Sequence, residues 1–103
     1  MRVKWTQYAK NQLREIFSYY KKEAGVPIAK KLVVELRFYV DILESQPTIG
    51  QRELVLSKYP NDFRYLVYKN YKIIYWQNKD LEIIEIVDVF DARQDPKLIT
   101  RNK

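Results

Sequence analysis

The sequence predicts an α+β domain in which an N-terminal helical hairpin packs on one face of a twisted antiparallel sheet, in the order β-α-α-β-β-β-β. In the first half of the chain, apolar residues recur at intervals of three and four, the period of an amphipathic helix. The second half is rich in β-branched and aromatic residues, in short runs separated by turn signals. The length of 103 residues suits one domain, residues 1–103, without a linker.

The first three elements follow from local signals. The run "MRVKW" alternates apolar and basic residues, as in a short strand. Thr6 is placed to cap an amphipathic helix of about 17 residues, which Gly25 ends. Pro27 suits the first turn of a second helix, which stops before Pro47 and Gly50. A loop this short between two helices predicts that they run antiparallel.

The rest of the chain predicts four strands. They cover residues 52–58, 63–69, 71–77 and 81–90, with tight polar turns between them. Connections of this length favour an antiparallel meander.

The second helix also carries apolar residues opposite its core stripe. At 100° per residue, Val34, Phe38 and Ile42 form a row on the outer side, which we call the outer ridge. An apolar row on a charged helix indicates a docking surface for another chain. Scattered exposed apolar residues are also common on ordinary surfaces, and the sequence leaves both readings open.

Composition excludes several kinds of chemistry. The chain contains no cysteine and no histidine, so disulfides, thiolate metal sites and Ser-His or Cys-His catalysis are excluded. We expect no cofactor and no metal site. Asp88, Asp91 and Asp95 instead suit a salt bridge from Asp91 or Asp88 to Arg93, and a turn cap by Asp95.

Charge and hydropathy bear on partners and location. The net charge of +6 favours nucleic acid or an acidic protein partner, although it also serves solubility. No apolar run approaches the roughly 20 residues of a membrane span, and the N-terminus has no signal-peptide pattern. We therefore expect a bacterial cytoplasmic protein with no membrane partner.

Four stretches together resemble the RelE/ParE superfamily of toxins from bacterial type II toxin–antitoxin modules. They are "VKWTQYAKNQLREIFSYY", "ESQPTIGQ", "FRYLVYKNYKIIYW" and "IVDVFDARQDP", in this order. "QPTIGQ" and "RQDP" look more like the ParE branch than the RelE branch. The resemblance implies a toxin of a plasmid-stabilisation or addiction module. Its expected partner is a cognate antitoxin, for which the outer ridge is the candidate docking surface. The toxin is expected as a homodimer or in a toxin–antitoxin hetero-oligomer.

The two branches imply different activities. ParE-like toxins bind and inhibit DNA gyrase without known chemistry. RelE-like toxins are endoribonucleases that cleave mRNA on the ribosome with clustered Lys, Arg and Tyr or His side chains. There the 2'-hydroxyl attacks the adjacent phosphate, and fixed cations stabilise the charge of the transition state.

Alignment to the RelE-like motif places Arg64 at one catalytic Lys and Lys72 at the strand Arg. Leu66 occupies the position of a second Lys and cannot act as acid, base or phosphate ligand. The C-terminal Arg falls at Ala92 or Arg93. If the chain is a nuclease, the resemblance implies Arg64, Lys72 and Arg93 as the cations, with a tyrosine such as Tyr75 as the proton carrier. The incomplete set favours the gyrase-binding branch.

Turn geometry decides whether these cations lie together. A two-residue turn at Lys69 and Asn70 would set Arg64 opposite Tyr75 and on the other face from Lys72; a three-residue turn would put Arg64 and Lys72 on one face. The sequence does not choose between these turns.

The C-terminal end of the last predicted strand is the other candidate target surface. Phe90 ends the strand, and Asp91 turns the chain out at the rim of an open sheet face. We therefore expect target contacts from Arg64, Lys72, Arg93, Phe90 and Asp91. The charge at this rim favours recognition over catalysis.

Overall fold

The computed structural model describes residues 1–102 of the chain. Its regular elements are β1 (Arg2–Trp5), α1 (Gln7–Ala24), α2 (Val26–Tyr39), β2 (Gln51–Arg52), β3 (Arg64–Tyr68), β4 (Tyr71–Asn78) and β5 (Ile83–Asp91). Three 3-10 segments, Val40–Glu44, Leu54–Leu56 and Pro96–Asn102, complete the order. The predicted α+β class and the predicted order are confirmed.

The helical hairpin forms for the predicted reasons. The Thr6 hydroxyl accepts the Ala9 N–H at 3.2 Å and caps α1. Gly25 follows α1 with a φ of 95°, which L side chains rarely adopt, and Pro27 lies in the first turn of α2. α2 tightens into the 3-10 segment Val40–Glu44, which buries Val40 and so continues the core stripe of the helix.

The five strands form one mixed sheet in the order β1-β5-β4-β3-β2. β2 to β5 pair antiparallel as predicted, but β1 pairs parallel with β5. The alternation of "MRVKW" predicts a strand but carries no information about direction. After the helical hairpin the chain enters the sheet at the edge opposite β1, as β2. The antiparallel strands β3, β4 and β5 then follow one another back across the sheet, and β5 lies beside β1.

The predicted strand at residues 52–58 is wrong for most of its length. Only Arg52 continues β2, and the chain then turns into Leu54–Leu56. The Glu53 carboxylate accepts the Val55 N–H at 3.3 Å and starts this turn. The turn buries Leu56 against the sheet, and a straight strand at the sheet edge has no equivalent contact.

Both faces of the sheet carry a hydrophobic cluster. On the helix side the cluster includes Leu13, Leu36, Ile73, Tyr75 and Ile86. The second face carries a cluster of Leu56, Phe63, Ile74, Val87, Phe90 and Ile99. The expected open face is therefore wrong, because the segments Leu54–Leu56 and Pro96–Asn102 pack over it.

No helix within residues 1–102 has the length and apolar character needed to cross a membrane.

Candidate interaction surfaces

The β3–β4 turn separates the two central cations. Tyr68 pairs directly with Tyr71, so Lys69 and Asn70 form the two-residue turn. Lys69 has a φ of 55°, as such turns require. In this register Arg64 opposes Tyr75 and lies on the helix side. Lys72 opposes Val67 and lies on the second face.

Arg64 binds the segment between α2 and β2. Its guanidinium donates to the carbonyl oxygens of Thr48 at 3.2 Å and Gly50 at 2.9 Å, and to the Asp62 carboxylate at 3.0 Å. Its side chain is largely buried. The donors that a nuclease would direct at phosphate are directed here at backbone and at one carboxylate.

Tyr75 binds the same segment from the neighbouring strand. Its hydroxyl donates to the Pro47 carbonyl at 2.9 Å and accepts the Gly50 N–H at 2.9 Å. The ring is fully buried, and this burial raises the pKa of the hydroxyl. A hydroxyl with both bonds committed and a raised pKa is poorly suited to carry a proton to substrate.

Lys72 forms an ion pair with a buried carboxylate. Its ammonium lies 3.0 Å from Glu53, a residue only 4% exposed, and 4.2 Å from the centre of the Tyr65 ring. The 3-10 segment that follows β2 positions Glu53. The charge of Lys72 is thus compensated inside the protein. No pattern in the sequence indicates this pair, because an extended strand is predicted at Glu53.

Asp91 and Arg93 form an ion pair at the turn that ends β5. Two guanidinium nitrogens bind the carboxylate at 2.7 and 3.0 Å, and the Arg93 N–H donates to it at 2.9 Å. The hydrogen bonds from Arg93 lower the pKa of Asp91 to about 2, against a smaller opposing effect of burial. The predicted salt bridge is confirmed at Asp91. Asp95 caps the next turn by accepting the Lys97 N–H at 3.0 Å.

Phe90 and Asp88 are internal residues, and the predicted surface position of Phe90 is wrong. A β-bulge at Val87 shifts the register between β4 and β5, so Phe90 faces away from the helices. The C-terminal 3-10 segment covers that face and leaves Phe90 only 1% exposed. Asp88 binds Arg101 of that segment through two hydrogen bonds, at 2.9 and 3.0 Å.

Of the four residues that the resemblance implies for a nuclease, the structure brings together only Arg64 and Tyr75, which are cross-strand partners, and holds the three cations apart. Arg64 and Tyr75 lie on the helix side of the sheet, Lys72 on the second face and Arg93 at the rim. Within residues 1–102, no three carboxylates are grouped to hold a metal ion.

The outer ridge is exposed. Phe38 is the most exposed of its three residues at 69%, and Val34 and Ile42 are also exposed. The ridge borders a cavity of about 530 Å³ that extends to Val3 and Trp5 of the edge strand β1. This surface pairs an apolar helix face with a sheet edge.

A second surface, which the sequence did not reveal, lies between the two helices. We call it the interhelical groove; its cavity is about 430 Å³, lined by Lys10, Leu13, Arg14, Phe17, Ser18, Val33 and Arg37. Three cations surround an apolar floor, and no carboxylate is among these residues. The sequence offered one signal for this groove: Phe17 and Val33 are apolar residues next to the core-facing residues of α1 and α2, and both are half-buried in the structure. The groove suits an amphipathic segment with acidic residues on its margins.

Comparison with known proteins places these features in a family. The sequence profile described as "ParE toxin of type II toxin-antitoxin system, parDE" matches residues 3–96. A solved structure described as "Chromosomal ParDE TA system from P. aeruginosa" shares the fold, with a TM-score of 0.74 and 22% identity, over 89% of this chain and 96% of the other. No curated protein sequence matches the chain significantly.

Proposed function

The chain belongs to the ParE toxin family of type II toxin–antitoxin systems, and from this membership we propose that it inhibits growth by binding DNA gyrase. Its toxicity then results from binding to another macromolecule, and the toxin itself cleaves no phosphodiester bond.

One observation carries the proposal: the cations of the nuclease alternative are engaged within the protein and held apart. Arg64 is bound to backbone carbonyls, and Lys72 is paired with Glu53 on the opposite face. Stabilising a phosphorane-like transition state requires several donors preorganised around one phosphate. A protein of this geometry is better suited to binding than to RNA cleavage.

We further propose that a cognate antitoxin neutralises the toxin by covering the helical hairpin. The similar P. aeruginosa structure is described as a ParDE toxin–antitoxin system. In this chain the outer ridge supplies an apolar face, and the interhelical groove supplies cations without carboxylates. An amphipathic, acidic segment would bury apolar area on both surfaces and meet positive charge at the groove. Target contact at the rim is proposed for Arg93, whose side chain is largely exposed.

The test is induced expression in a bacterial host, with a DNA-damage reporter and primer extension on cellular transcripts. We expect growth arrest with DNA-damage signalling and no cuts placed by codon. Co-expression of the small protein encoded in the neighbouring reading frame should restore growth. Codon-positioned mRNA cuts without DNA-damage signalling would overturn the gyrase proposal.

A further inference from the structure

Residues 46–51, the "QPTIGQ" stretch, form a connection that the sheet holds unusually firmly. The Tyr75 hydroxyl binds two of its backbone groups, at Pro47 and Gly50. The Arg64 guanidinium binds two more, at Thr48 and Gly50. Arg64 and Tyr75 are direct cross-strand partners, so one pair of neighbouring side chains holds the stretch at four points.

Gly50 lies so close to the sheet that the position has no space for a side chain. A Cβ there would lie 2.6 Å from the Tyr75 hydroxyl and 2.8 Å from the Tyr65 carbonyl oxygen. Residues 46–51 therefore lie against the sheet in one conformation, with no room for a side chain at Gly50.

In spite of this anchoring, the stretch leaves Ile49 50% exposed. Single exposed apolar residues are common and usually carry no meaning. Here, however, the conformation that exposes Ile49 is fixed by four hydrogen bonds from two strands. Because the backbone on both sides of Ile49 is held, little backbone entropy is left to lose when its side chain enters a pocket on a partner.

The adjoining sheet edge is also open to a partner. β2 pairs with β3 alone, and the next N–H, of Glu53, donates to Phe63 at 2.8 Å. Since pairing alternates along an antiparallel strand, the backbone groups of Arg52 point away from β3. The Arg52 side chain is largely exposed and lies 3.5 Å from the Asp62 carboxylate, which also binds Arg64. Two guanidinium groups therefore share one carboxylate, and the group keeps one excess positive charge. The edge thus presents one apolar side chain, Ile49, beside an Arg52–Asp62–Arg64 group with one excess positive charge.

We propose that residues 46–51 form an anchoring contact between the toxin and its protein target, in addition to the contact at Arg93, with Ile49 as the anchor. Arg64 and Tyr75 act through this stretch as positioning residues. The matching surface on the target is an apolar pocket with an acidic margin. This inference rests on the proposed function, and it uses a surface separate from the outer ridge and the interhelical groove.

The test compares Ile49→Ser with Ile49→Leu and with Leu81→Ser, a matched exposed residue on the β4–β5 turn. We expect Ile49→Ser to raise the toxin concentration needed to inhibit gyrase supercoiling by about tenfold or more. Ile49→Leu and Leu81→Ser should stay within about twofold of the parent. All three should keep the parent's free energy of unfolding and affinity for the cognate antitoxin. Inhibition by Ile49→Ser within that twofold range would overturn the inference.

Growth arrest in cells separates this inference from the proposed function. If the parent arrests growth without inhibiting gyrase, the gyrase proposal fails on its own. Loss of arrest in Ile49→Ser, with antitoxin binding retained, would still support the contact at residues 46–51. Full arrest by Ile49→Ser would overturn it.

Tyr75→Phe tests positioning, because it removes only the hydroxyl that binds Pro47 and Gly50. We expect faster hydrogen exchange at the Gly50 amide together with weaker inhibition of the target. Arg64→Ala should weaken inhibition as well, and Arg64→Lys, which keeps a donor, should restore part of it. Faster exchange at Gly50 with unchanged inhibition would contradict a positioning role.

Discussion

At the scale of single residues, the ion pair of Lys72 and Glu53 joins two separate elements of the fold. Lys72 lies in a central strand, whereas Glu53 caps the 3-10 segment that follows β2. The Glu53 side chain is nearly inaccessible, and about a fifth of the Lys72 side chain, 22%, is exposed. The pair therefore holds the start of the Leu54–Leu56 segment against the second face of the sheet.

Replacing Lys72 with Met should destabilise the protein, because it leaves the buried Glu53 carboxylate without its cation. Removing one partner of a buried pair is strongly destabilising, and since Lys72 is partly exposed we expect a cost of about 2 kcal/mol. The double variant Glu53→Gln/Lys72→Met should cost less than the sum of the two single changes. Urea unfolding of the four proteins measures this coupling. Additive costs would contradict the account of a coupled pair.

The Asp91–Arg93 pair predicts a pH dependence of stability. The pKa of Asp91 is lowered from 3.8 to about 2 in the folded protein. Its ionised form therefore stabilises the fold above the unfolded pKa, and this contribution is lost as pH falls from 3.8 through 2. The free energy of unfolding of Asp91→Asn should lie below that of the parent near neutral pH and approach it in acid.

Chemical unfolding across this pH range measures the difference. Arg93→Gln removes the other half of the same pair and should reproduce the trend. A difference between the parent and Asp91→Asn that stays constant down to about pH 2 would contradict the assigned cause.

Residue-level reasoning from the sequence predicted contacts between near neighbours. The Asp91–Arg93 bridge and the Asp95 cap join residues two positions apart, and both formed. The partner of Lys72 lies 19 positions away and depends on a turn that the sequence did not reveal. The roles of Arg64 and Tyr75 likewise depend on a two-residue turn, which the sequence left open.

Among the elements, the helices were predicted well because their signals are periodic and capped. α1 begins and ends, and α2 begins, at the residues that Thr6, Gly25 and Pro27 indicate. α2 ends at Tyr39, earlier than the stop predicted before Pro47, and the 3-10 segment Val40–Glu44 follows it. β2 was predicted too long, because the apolar residues at 54, 55 and 56 fit either a strand or a 3-10 turn. The local sequence pattern does not distinguish a strand from a 3-10 turn here. The 3-10 turn is favoured because it buries Leu56 against strands that are distant in the sequence.

At the same scale, Gly50→Ala should destabilise the connection between α2 and β2. The added methyl would lie 2.6 Å from the Tyr75 hydroxyl, a group fixed by burial, so the backbone has to move. We expect a loss of about 1–3 kcal/mol in the free energy of unfolding. Thr48→Ala, an exposed change in the same stretch, is the control and should stay within about 0.5 kcal/mol of the parent. Equal stability of Gly50→Ala and the parent would contradict the close approach of this stretch to the sheet.

At the scale of the whole molecule, both faces of the sheet carry a packed hydrophobic cluster, although Val67 on the second face stays 51% exposed. The sequence predicted one covered face and one open face, because the tail "DPKLITRNK" lacks periodicity beyond Leu98 and Ile99. Ile99 nevertheless packs into the second cluster, and Arg101 binds Asp88 across that face. The parallel pairing of β1 was also beyond sequence reasoning. Strand direction and long-range cover depend on the path of the chain, which local patterns do not encode.

This closed architecture bears on function, because the sheet surface that a nuclease would need for RNA is occupied by the protein's own segments. The exposed surfaces with a proposed role are the outer ridge, the interhelical groove, the rim at Arg93, and residues 46–51 with the adjoining β2 edge. Each of them has the chemistry of a protein–protein contact.

The most direct test is a titration of the purified protein into a DNA gyrase supercoiling reaction, run beside ribosomes engaged on a defined message. We expect supercoiling to fall as the toxin concentration rises, the cognate antitoxin to reverse the effect, and the message to remain intact. Cleavage of the ribosome-bound message, lost when Arg64 or Lys72 is replaced and accompanied by unchanged supercoiling, would contradict the account.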